Sequence, residues 1–225
     1  MKIKPVSILF LGAITILCAG NSAMAQFPDT LFLEFDFEGF GNLVTTSPPI
    51  FSGEVVSGDS RLLGASWWMQ IDDSEWPSTT DPAARWDYIF NNYFEYNASL
   101  NFWTAVFDQG SLPVKPTWQI EHPVNGTMGG TLVISVTHTD DNLNGVFDAE
   151  ERMFGTFEGT LMVMKYGTGE FAKYCGEGSY NGALFNDDPA NWLDDYVTGH
   201  CLLDLINCQI GTERRSWSYI KQICR

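Results

Sequence analysis

A twelve-residue run at positions 140–151 carries oxygen-bearing side chains at a spacing that suits a calcium ion. Its first, third, fifth and ninth positions are Asp140, Asn142, Asn144 and Asp148, and its last position is Glu151. Calcium takes six to eight oxygen ligands at about 2.3–2.6 Å, so a short loop must turn alternate residues inward around one ion. The chemistry that this spacing predicts is therefore Ca²⁺ binding.

The same run resembles the calcium loop of EF-hand proteins at every diagnostic position. Gly145 stands at the sixth position, where the loop bends sharply, and Phe147 is the large apolar residue of the eighth. The resemblance implies a backbone carbonyl ligand from Val146, a water-bridged contact from Asp148 and two oxygens from Glu151. The two asparagines lower the charge of the ligand set, which predicts a weak site with a Kd of about 10⁻⁴–10⁻³ M.

The segments around this loop do not read as the paired helices of an EF-hand. Residues 132–139 are rich in β-branched side chains, and only Arg152 and Met153 separate Glu151 from the strand-like run that follows. The sequence therefore predicts a calcium-clamped connection between two strands, with a structural role. The alternative interpretation is a turn rich in Asp, Asn and Gly that only resembles a ligand set.

Strand patterns dominate the rest of the chain. Residues 31–38 alternate strictly, with Leu and Phe on one face and Phe32, Glu34, Asp36 and Glu38 on the other. Clusters of Gly, Pro, Asn and Asp separate further predicted strands at about ten-residue intervals. These are residues 53–56, 63–71, 99–107, 117–121, 131–139, 154–165, 170–174, 178–184, 199–206 and 215–223. The spacing predicts an all-β fold, a single antiparallel barrel with one or two short helices.

Two helical segments are predicted within this β pattern. Asp81 can cap a helix whose first position is Pro82, and an apolar stripe follows at Trp86, Ile89, Phe90 and Tyr93. A second short helical turn is predicted to begin at Asp188-Pro189 and to carry Trp192.

A glycine-rich stretch carries a resemblance to known barrels. Gly155-Thr-Phe157-Glu-Gly159-Thr precedes Gly167-Thr-Gly169-Glu-Phe171, and Gly176-Glu-Gly178-Ser-Tyr180-Asn-Gly182 follows. Residues 153–184 thus resemble the allene oxide cyclase and dirigent barrels, in which a Gly-Thr-Gly-x-Phe turn joins two long strands. The resemblance implies an eight-stranded, calycin-like barrel that binds apolar ligands inside and steers cyclisation or radical coupling. None of the catalytic residues of those families can be transferred to this chain.

The N-terminus has the composition of a secretory signal peptide. Lys2 and Lys4 precede an apolar run at residues 6–19, and Ala23-Met-Ala25 forms a small-x-small cleavage site. The run is shorter than the ~20 apolar residues of a membrane span. We therefore expect residues 26–225 to form one soluble, exported domain, periplasmic or extracellular, with no membrane span.

The chain is strongly acidic, with a net charge of −16. Residues 1–25 hold two of the twelve basic residues and none of the 28 acidic ones, so the charge without them is −18. That field argues against nucleic acid and anionic membranes as partners, and it suits cations.

Four cysteines remain outside the signal peptide: Cys175, Cys201, Cys208 and Cys224. An even number in an exported chain predicts two disulfides, with three possible pairings, that staple the C-terminal part of the domain. His138 and His200 are isolated in the sequence and are predicted to be structural.

The leading hypothesis from the sequence is a secreted, calcium-binding β-barrel that acts as a ligand-binding or structural surface module, without an assigned catalytic residue. The first alternative is a lumen enzyme, a cyclase or isomerase, which needs an inward acid among Glu34, Asp36 and Glu38. Such an enzyme or binder would take an apolar small molecule.

The second alternative is an enzyme or binder of glycans. The segment that contains Trp67, Trp68 and Trp76 is rich in acids, including Asp72 and Glu75. Exposed indole rings stack on sugar faces, while paired carboxylates at about 5–9.5 Å can catalyse glycoside hydrolysis. The competing interpretation is that these rings pack in the core and that the acids form a solvated turn.

Overall fold

The structure is a computed structural model that describes residues 30–74, 76–107, 116–148, 151–164, 167–186 and 195–208. Within these residues it contains ten strands, one helix and two short 3-10 turns. The strands are β1 (Thr30–Asn42), β2 (Ile50–Gly58), β3 (Ser66–Gln70), β4 (Phe94–Asn97), β5 (Phe102–Phe107), β6 (Thr117–His122), β7 (Gly126–Thr139), β8 (Phe154–Val163), β9 (Tyr174–Phe185) and β10 (Asp195–Asn207). Helix α1 (Pro82–Tyr93) precedes β4 directly, and the 3-10 turns are Glu151–Met153 and Gly169–Phe171.

Eight of these strands close into one antiparallel barrel, in the order β7-β6-β3-β2-β1-β10-β9-β8, with β8 pairing back to β7. The long strand β7 serves two neighbours on its other edge. Its first half pairs with β6 and its second half with β5, to which β4 is added. The predicted all-β antiparallel barrel is confirmed. Closure removes the free edges that an open sheet of this size would expose.

The alternation in β1 separates the core from the solvent. Leu31, Leu33 and Phe35 are buried, whereas the side chains of Glu34 and Asp36 are 60% and 50% exposed. Successive side chains of a strand point to opposite faces. The apolar side chains at alternate positions therefore fill the barrel, and the side chains between them face water. The predicted alternation is thereby confirmed, with the acids on the outer wall.

Inward glycines make room for the large rings of the neighbouring strand. A Cβ atom built on Gly182 of β9 would lie 2.4 Å from Cζ of Phe157 on β8. The same construction on Gly199 of β10 meets Cζ of Phe37 on β1 at 2.4 Å. At these two positions the missing side chain of glycine leaves space for a ring of the neighbouring strand.

The predicted helix forms as its cap and stripe indicate. Asp81 accepts a hydrogen bond from the backbone N–H of Ala83 at 3.1 Å, which satisfies one of the free donors at the helix start. Ile89 and Tyr93 are buried, and the Trp76 indole N–H donates to the Tyr93 hydroxyl at 3.0 Å. No helix of the described residues is long and apolar enough to cross a membrane.

Three local predictions differ from the structure or lie outside it. Residues 170–174 were expected as a strand, but Gly169–Phe171 form a 3-10 turn and β9 begins only at Tyr174. Gly169 takes a φ of +59°, which suits a turn rather than a strand. The short strand β4 was not predicted. The segments predicted at 188–192 and 215–223, and the signal peptide, lie outside the described residues.

One predicted disulfide is present and the other expectation needs correction. Cys175 and Cys208 are bonded, with Cα atoms 5.9 Å apart and a sequence separation of 33. Within the described part of the chain, Cys201 is a free thiol at an inward position of β10, paired in register with Phe35 and Tyr180. Its inward parity places it in the core, where it is buried. Cys224 lies outside the described residues.

Candidate functional site at the loop end of the barrel

The two ends of the barrel differ in how they are filled. At the turn end, where residues 167–173 join β8 to β9, Leu62, Phe171 and Leu205 are at most 1% exposed. The β8–β9 turn also docks there on the β6–β7 turn, since the Thr168 N–H donates to the Thr127 carbonyl at 2.9 Å. The loop end, where residues 140–151 join β7 to β8, is instead hollow.

An apolar cavity of about 140 Å³ lies inside the barrel toward the loop end. Its wall is dominated by rings, among them Phe37, Phe51, Trp67, Trp118, Phe157 and Tyr180. The polar residues of the lining are Asn42, Gln119, His138, Arg152, Asn186 and Asp195. Five of these six lie where β1, β7, β9 and β10 reach the loop end, or just before β8 begins there. The cavity is therefore apolar in its depth and polar at one rim.

The acids of β1 do not contribute to this cavity. Asp36 accepts hydrogen bonds from Ser57 and lies 2.7 Å from Nδ1 of His200, both on neighbouring strands of the outer wall. Glu38 accepts from the Tyr196 hydroxyl at 2.8 Å, also on the outside. The inward acid that a lumen enzyme needs is thus not supplied by this strand, because apolar residues occupy its inward parity.

His138 lies inside the barrel, at the rim of the cavity. Nδ1 of the ring is 2.8 Å from the Glu151 carbonyl oxygen and 3.0 Å from that of Phe154. Because both partners can only accept, Nδ1 must carry the proton that this bifurcated hydrogen bond needs. Burial lowers the pKa of His138, which favours the neutral ring. The ring lies flat on Gly155, where a Cβ atom would come within 2.7 Å of Cε1.

Phe147 connects the 140–151 loop to the cavity wall. Its ring centroid lies 5.6 Å from that of Trp86, 5.6 Å from that of Phe94 and 5.2 Å from that of His138. All three of these residues also line the cavity. Aromatic pairs at such separations stabilise by about 0.5–1.5 kcal/mol beyond their burial. The eighth position of the loop is therefore the point that fixes the loop to the barrel.

Asp140 is held at the start of the loop by three donors. The Tyr96 hydroxyl donates to one carboxylate oxygen at 2.6 Å, and the Gly145 N–H donates to the same oxygen at 2.8 Å. The Asn144 N–H donates to the other oxygen at 3.2 Å. The Tyr96 hydrogen bond is the main cause that lowers the pKa of the fully buried Asp140. Gly145 takes a φ of +70°, as the predicted bend requires.

The other predicted ligands lie close together in the loop, with Asn142 and Asn144 exposed to solvent. The side-chain amides of Asn142 and Asn144 both donate to Oδ2 of Asp148, at 3.0 and 3.5 Å. Oδ1 of Asn144 accepts from the Val146 N–H at 2.6 Å, and Val146 itself is exposed. These bonds place the ninth position against the third and fifth through their amide nitrogens, while the amide oxygens accept from backbone N–H groups.

Glu151 closes the loop and is 1% exposed. Oε2 accepts from the Asp148 N–H at 2.9 Å, whereas Oε1 is buried without a hydrogen-bond partner among the described residues. Burial, and secondarily Asp148, raises the pKa of Glu151. A buried carboxylate oxygen without a partner is costly, and a bound cation would remove that cost. No group of three or more His, Cys, Asp or Glu side chains in the described residues is arranged to hold a metal by itself.

The tryptophans considered for glycan binding are turned toward protein. Trp67 packs edge-on against Phe37 at 5.1 Å between ring centroids, and its indole N–H donates to the Glu38 carbonyl. Trp76 is buried, and Trp68 is half-buried. Of the acids beside them, Asp73 pairs with the buried Arg85 at 2.8 Å, and Glu75 lies outside the described residues.

Sequence reasoning missed three residues of this region. The alternation through Leu132, Ile134 and Val136 predicts an inward position for His138, and this parity is the signal that could have placed it in the lumen. No sequence pattern identifies Tyr96, because its contact with the loop spans 44 residues. Arg152 was treated only as a spacer.

Comparison with known proteins adds no relative to this description. No protein-family model, curated protein or solved structure matches the chain.

Proposed function

We propose that this protein is a secreted, non-catalytic β-barrel that binds a small apolar molecule in its lumen and is ordered at the loop end by calcium. The observation that carries the proposal is the ring-lined cavity of about 140 Å³ beside the 140–151 loop. Ligand sites are typically concave and apolar, with a few polar groups that orient the ligand. The barrel has this combination at its loop end.

The cavity volume limits the ligand to a small size. An engineered cavity of about 150 Å³, lined by aliphatic and aromatic residues, stays dry and binds benzene. A cavity of about 140 Å³ therefore suits a molecule with one ring or a short branched chain. Longer ligands would have to extend past the polar rim.

Export is supported by the signal-peptide pattern of residues 1–25 and by disulfide chemistry. The Cys175–Cys208 bond is the kind of cross-link that persists in an oxidising compartment. The acidic charge of −16 keeps nucleic acid and anionic membranes outside the proposed partners.

Three features of the loop support calcium. The carboxylate of Asp140 is fixed by Tyr96, Asp148 meets the amides of Asn142 and Asn144, and Oε1 of Glu151 is buried without a described partner. The ligand set depends on asparagine oxygens and a backbone carbonyl in addition to carboxylates. Calcium accepts such mixed oxygen ligands, and a set of this charge suits a weak site.

Binding of toluene to purified residues 26–225 tests the lumen proposal. We expect saturable binding by calorimetry and a rise in Tm, because a ligand bound by the native state alone stabilises it by mass action. The variant Val136→Phe, which fills the cavity wall, should lose the binding and stay folded. Equal binding by both proteins would contradict a lumen site.

Thermal unfolding with millimolar calcium and with chelator tests the loop. At ten times the Kd, we expect a stabilisation of about 1.4 kcal/mol, from the mass-action relation. Glu151→Gln should abolish this difference, and the matched control Glu158→Gln, on the exposed face of β8, should keep it. An unchanged Tm in both conditions would leave the loop a polar turn.

A further inference from the structure

We propose that the cavity selects a small ring-sized molecule that carries a hydrogen-bond donor, of the phenol class, with Nε2 of His138 as its acceptor. This inference rests on the proposed lumen function and names the ligand class of that same site. It assigns His138 as the residue that decides specificity.

The hydrogen bonds of the ring leave one nitrogen for a ligand. Nδ1 is committed to the carbonyl oxygens of Glu151 and Phe154, at 2.8 and 3.0 Å, so it is the protonated nitrogen of the neutral ring. Nε2 then holds a lone pair and can only accept. Among the described residues, no hydrogen bond joins Nε2 to another group.

The ring is packed by residues of the barrel and of the loop. Gly155 lies under it, so close that a Cβ atom would come within 3.1 Å of all three of Cε1, Nδ1 and Nε2. Phe94 and Phe147 pack on it at 6.0 and 5.2 Å between ring centroids. A fixed hydrogen-bond acceptor in a ring-lined wall makes the site selective for ligands that donate a hydrogen bond.

The other polar groups of the lining are less suited to this role. Oδ1 of Asn42 already accepts from the backbone N–H groups of Val44 and Thr45, at 2.7 and 3.0 Å. At the rim, Asn186 follows the end of β9 and Asp195 begins β10, and both residues have interaction partners of their own. His138 is instead 7% exposed and continues the inward parity of β7 toward the cavity. Asp195 is the rival acceptor that an experiment must separate.

The first experiment compares phenol, toluene and anisole, which fill similar volumes but differ in polar groups. Only phenol donates a hydrogen bond, toluene has no polar group and anisole only accepts. Calorimetry with the disulfide-intact protein in calcium measures the three affinities. We expect phenol to bind at least about tenfold more tightly than either of the others, because only phenol satisfies a buried acceptor.

The outcomes separate this inference from the proposed function. If toluene binds as tightly as phenol or more tightly, the lumen still binds apolar molecules, but the requirement for a donor is wrong. If none of the three binds, both the lumen function and this inference fail. A tenfold preference for phenol supports both.

Two variants and one spectroscopic measurement assign the acceptor. His138→Phe should remove the preference for phenol, whereas Asp195→Asn should keep it, and the reverse result would assign the acceptor to Asp195. Since His138→Phe also removes the bonds to the loop, ¹⁵N NMR of the three histidine rings of the unaltered protein provides a second readout. Phenol should shift Nε2 of one ring and toluene should not, whereas no shift on saturation with phenol would overturn the assignment.

Discussion

The two ends of this barrel are built from the same strands but are packed in opposite ways. At the turn end, Phe171, Leu62, Leu205 and Leu33 fill the interior at 1% exposure or less. At the loop end, rings line a cavity of about 140 Å³, and polar residues form its rim. Close packing stabilises the folded state, whereas the atoms that line an internal void lose van der Waals contacts. The comparison teaches that close packing at the turn end stabilises the barrel, while the loop end keeps a cavity.

The covalent and loop features follow the same division. The Cys175–Cys208 disulfide ties the start of β9 to the end of β10 at the turn end. The proposed calcium loop closes the β7–β8 connection at the other end, where Phe147 contacts the cavity wall. One end is therefore held by a covalent cross-link, whereas calcium at the other end is the proposal made above.

The largest effect should come from emptying the solid end. Phe171→Ala removes a ring that is 1% exposed, so we expect a loss of about 3–5 kcal/mol in the free energy of unfolding. Urea denaturation measures it. The matched variant Phe32→Ala, on the outer wall at 57% exposure, should cost under about 0.5 kcal/mol. Similar losses in both variants would break the distinction between packed interior and outer wall.

Removal of the disulfide should have the next largest effect. Replacing both Cys175 and Cys208 with Ser opens a loop closed over 33 residues, which should cost about 2–4 kcal/mol through the entropy of the unfolded chain. Chemical denaturation of the double variant measures this cost. The oxidised protein after addition of a reductant should reproduce it. A cost near zero would mean that the turn end needs no cross-link.

One methylene group added at each end should have opposite effects. Val55→Leu adds volume at a position that is 1% exposed and away from the cavity, so overpacking should cost about 1–3 kcal/mol. Val136→Leu adds the same group in the cavity wall, where filling space should stabilise by about 0.5–2 kcal/mol. Denaturation midpoints of the two variants provide the test. Equal destabilisation would show that the loop end is as tightly packed as the turn end.

The smallest effect should come from the outer acids. Hydrogen bonding from Ser57, and then the contact with His200, lowers the pKa of Asp36 below its ordinary 3.8. A lowered folded pKa stabilises the native state above the unfolded value, and this stability is lost as the pH falls through the folded value. Asp36→Asn should therefore cost less than about 1 kcal/mol near neutral pH, and the difference should shrink below about pH 4. Denaturation at both pH values measures it, and a large loss that persists in acid would indicate a role other than ion pairing.

Much of the fold was predictable because its signals are local. The alternation in β1 correctly predicted which of its residues face inward. The cap and the apolar stripe correctly predicted the position of α1, and the glycine-rich turn joins two long strands. The prediction of a strand at 170–174 was wrong because a positive φ at Gly169 tightens the backbone into a turn. Calcium binding by the loop stays a prediction: Asp140 and Glu151 are buried, whereas Asn142 and Asn144 are exposed.

The parts of the site that could not be predicted depend on contacts between distant segments. Tyr96 reaches Asp140 across 44 residues, and His138 meets the Phe154 carbonyl only because the 140–151 loop folds back beside β7. The pairing of Cys175 with Cys208, and the burial of Cys201 as a thiol, depend on strand parity in a closed barrel. The spacing of the three cysteines along the chain does not show which of them face each other across neighbouring strands.

The sequence by itself determined the class of the fold, the positions of the helix and of most strands, and the spacing of oxygen side chains that a calcium ion would need. These follow from periodicity, capping and ligand spacing, which act within about a dozen residues. The tertiary structure alone decided which end of the barrel is filled and which is hollow. Closure of the barrel places strands side by side that are far apart in the chain. Their register then decides which ring meets which glycine in the interior.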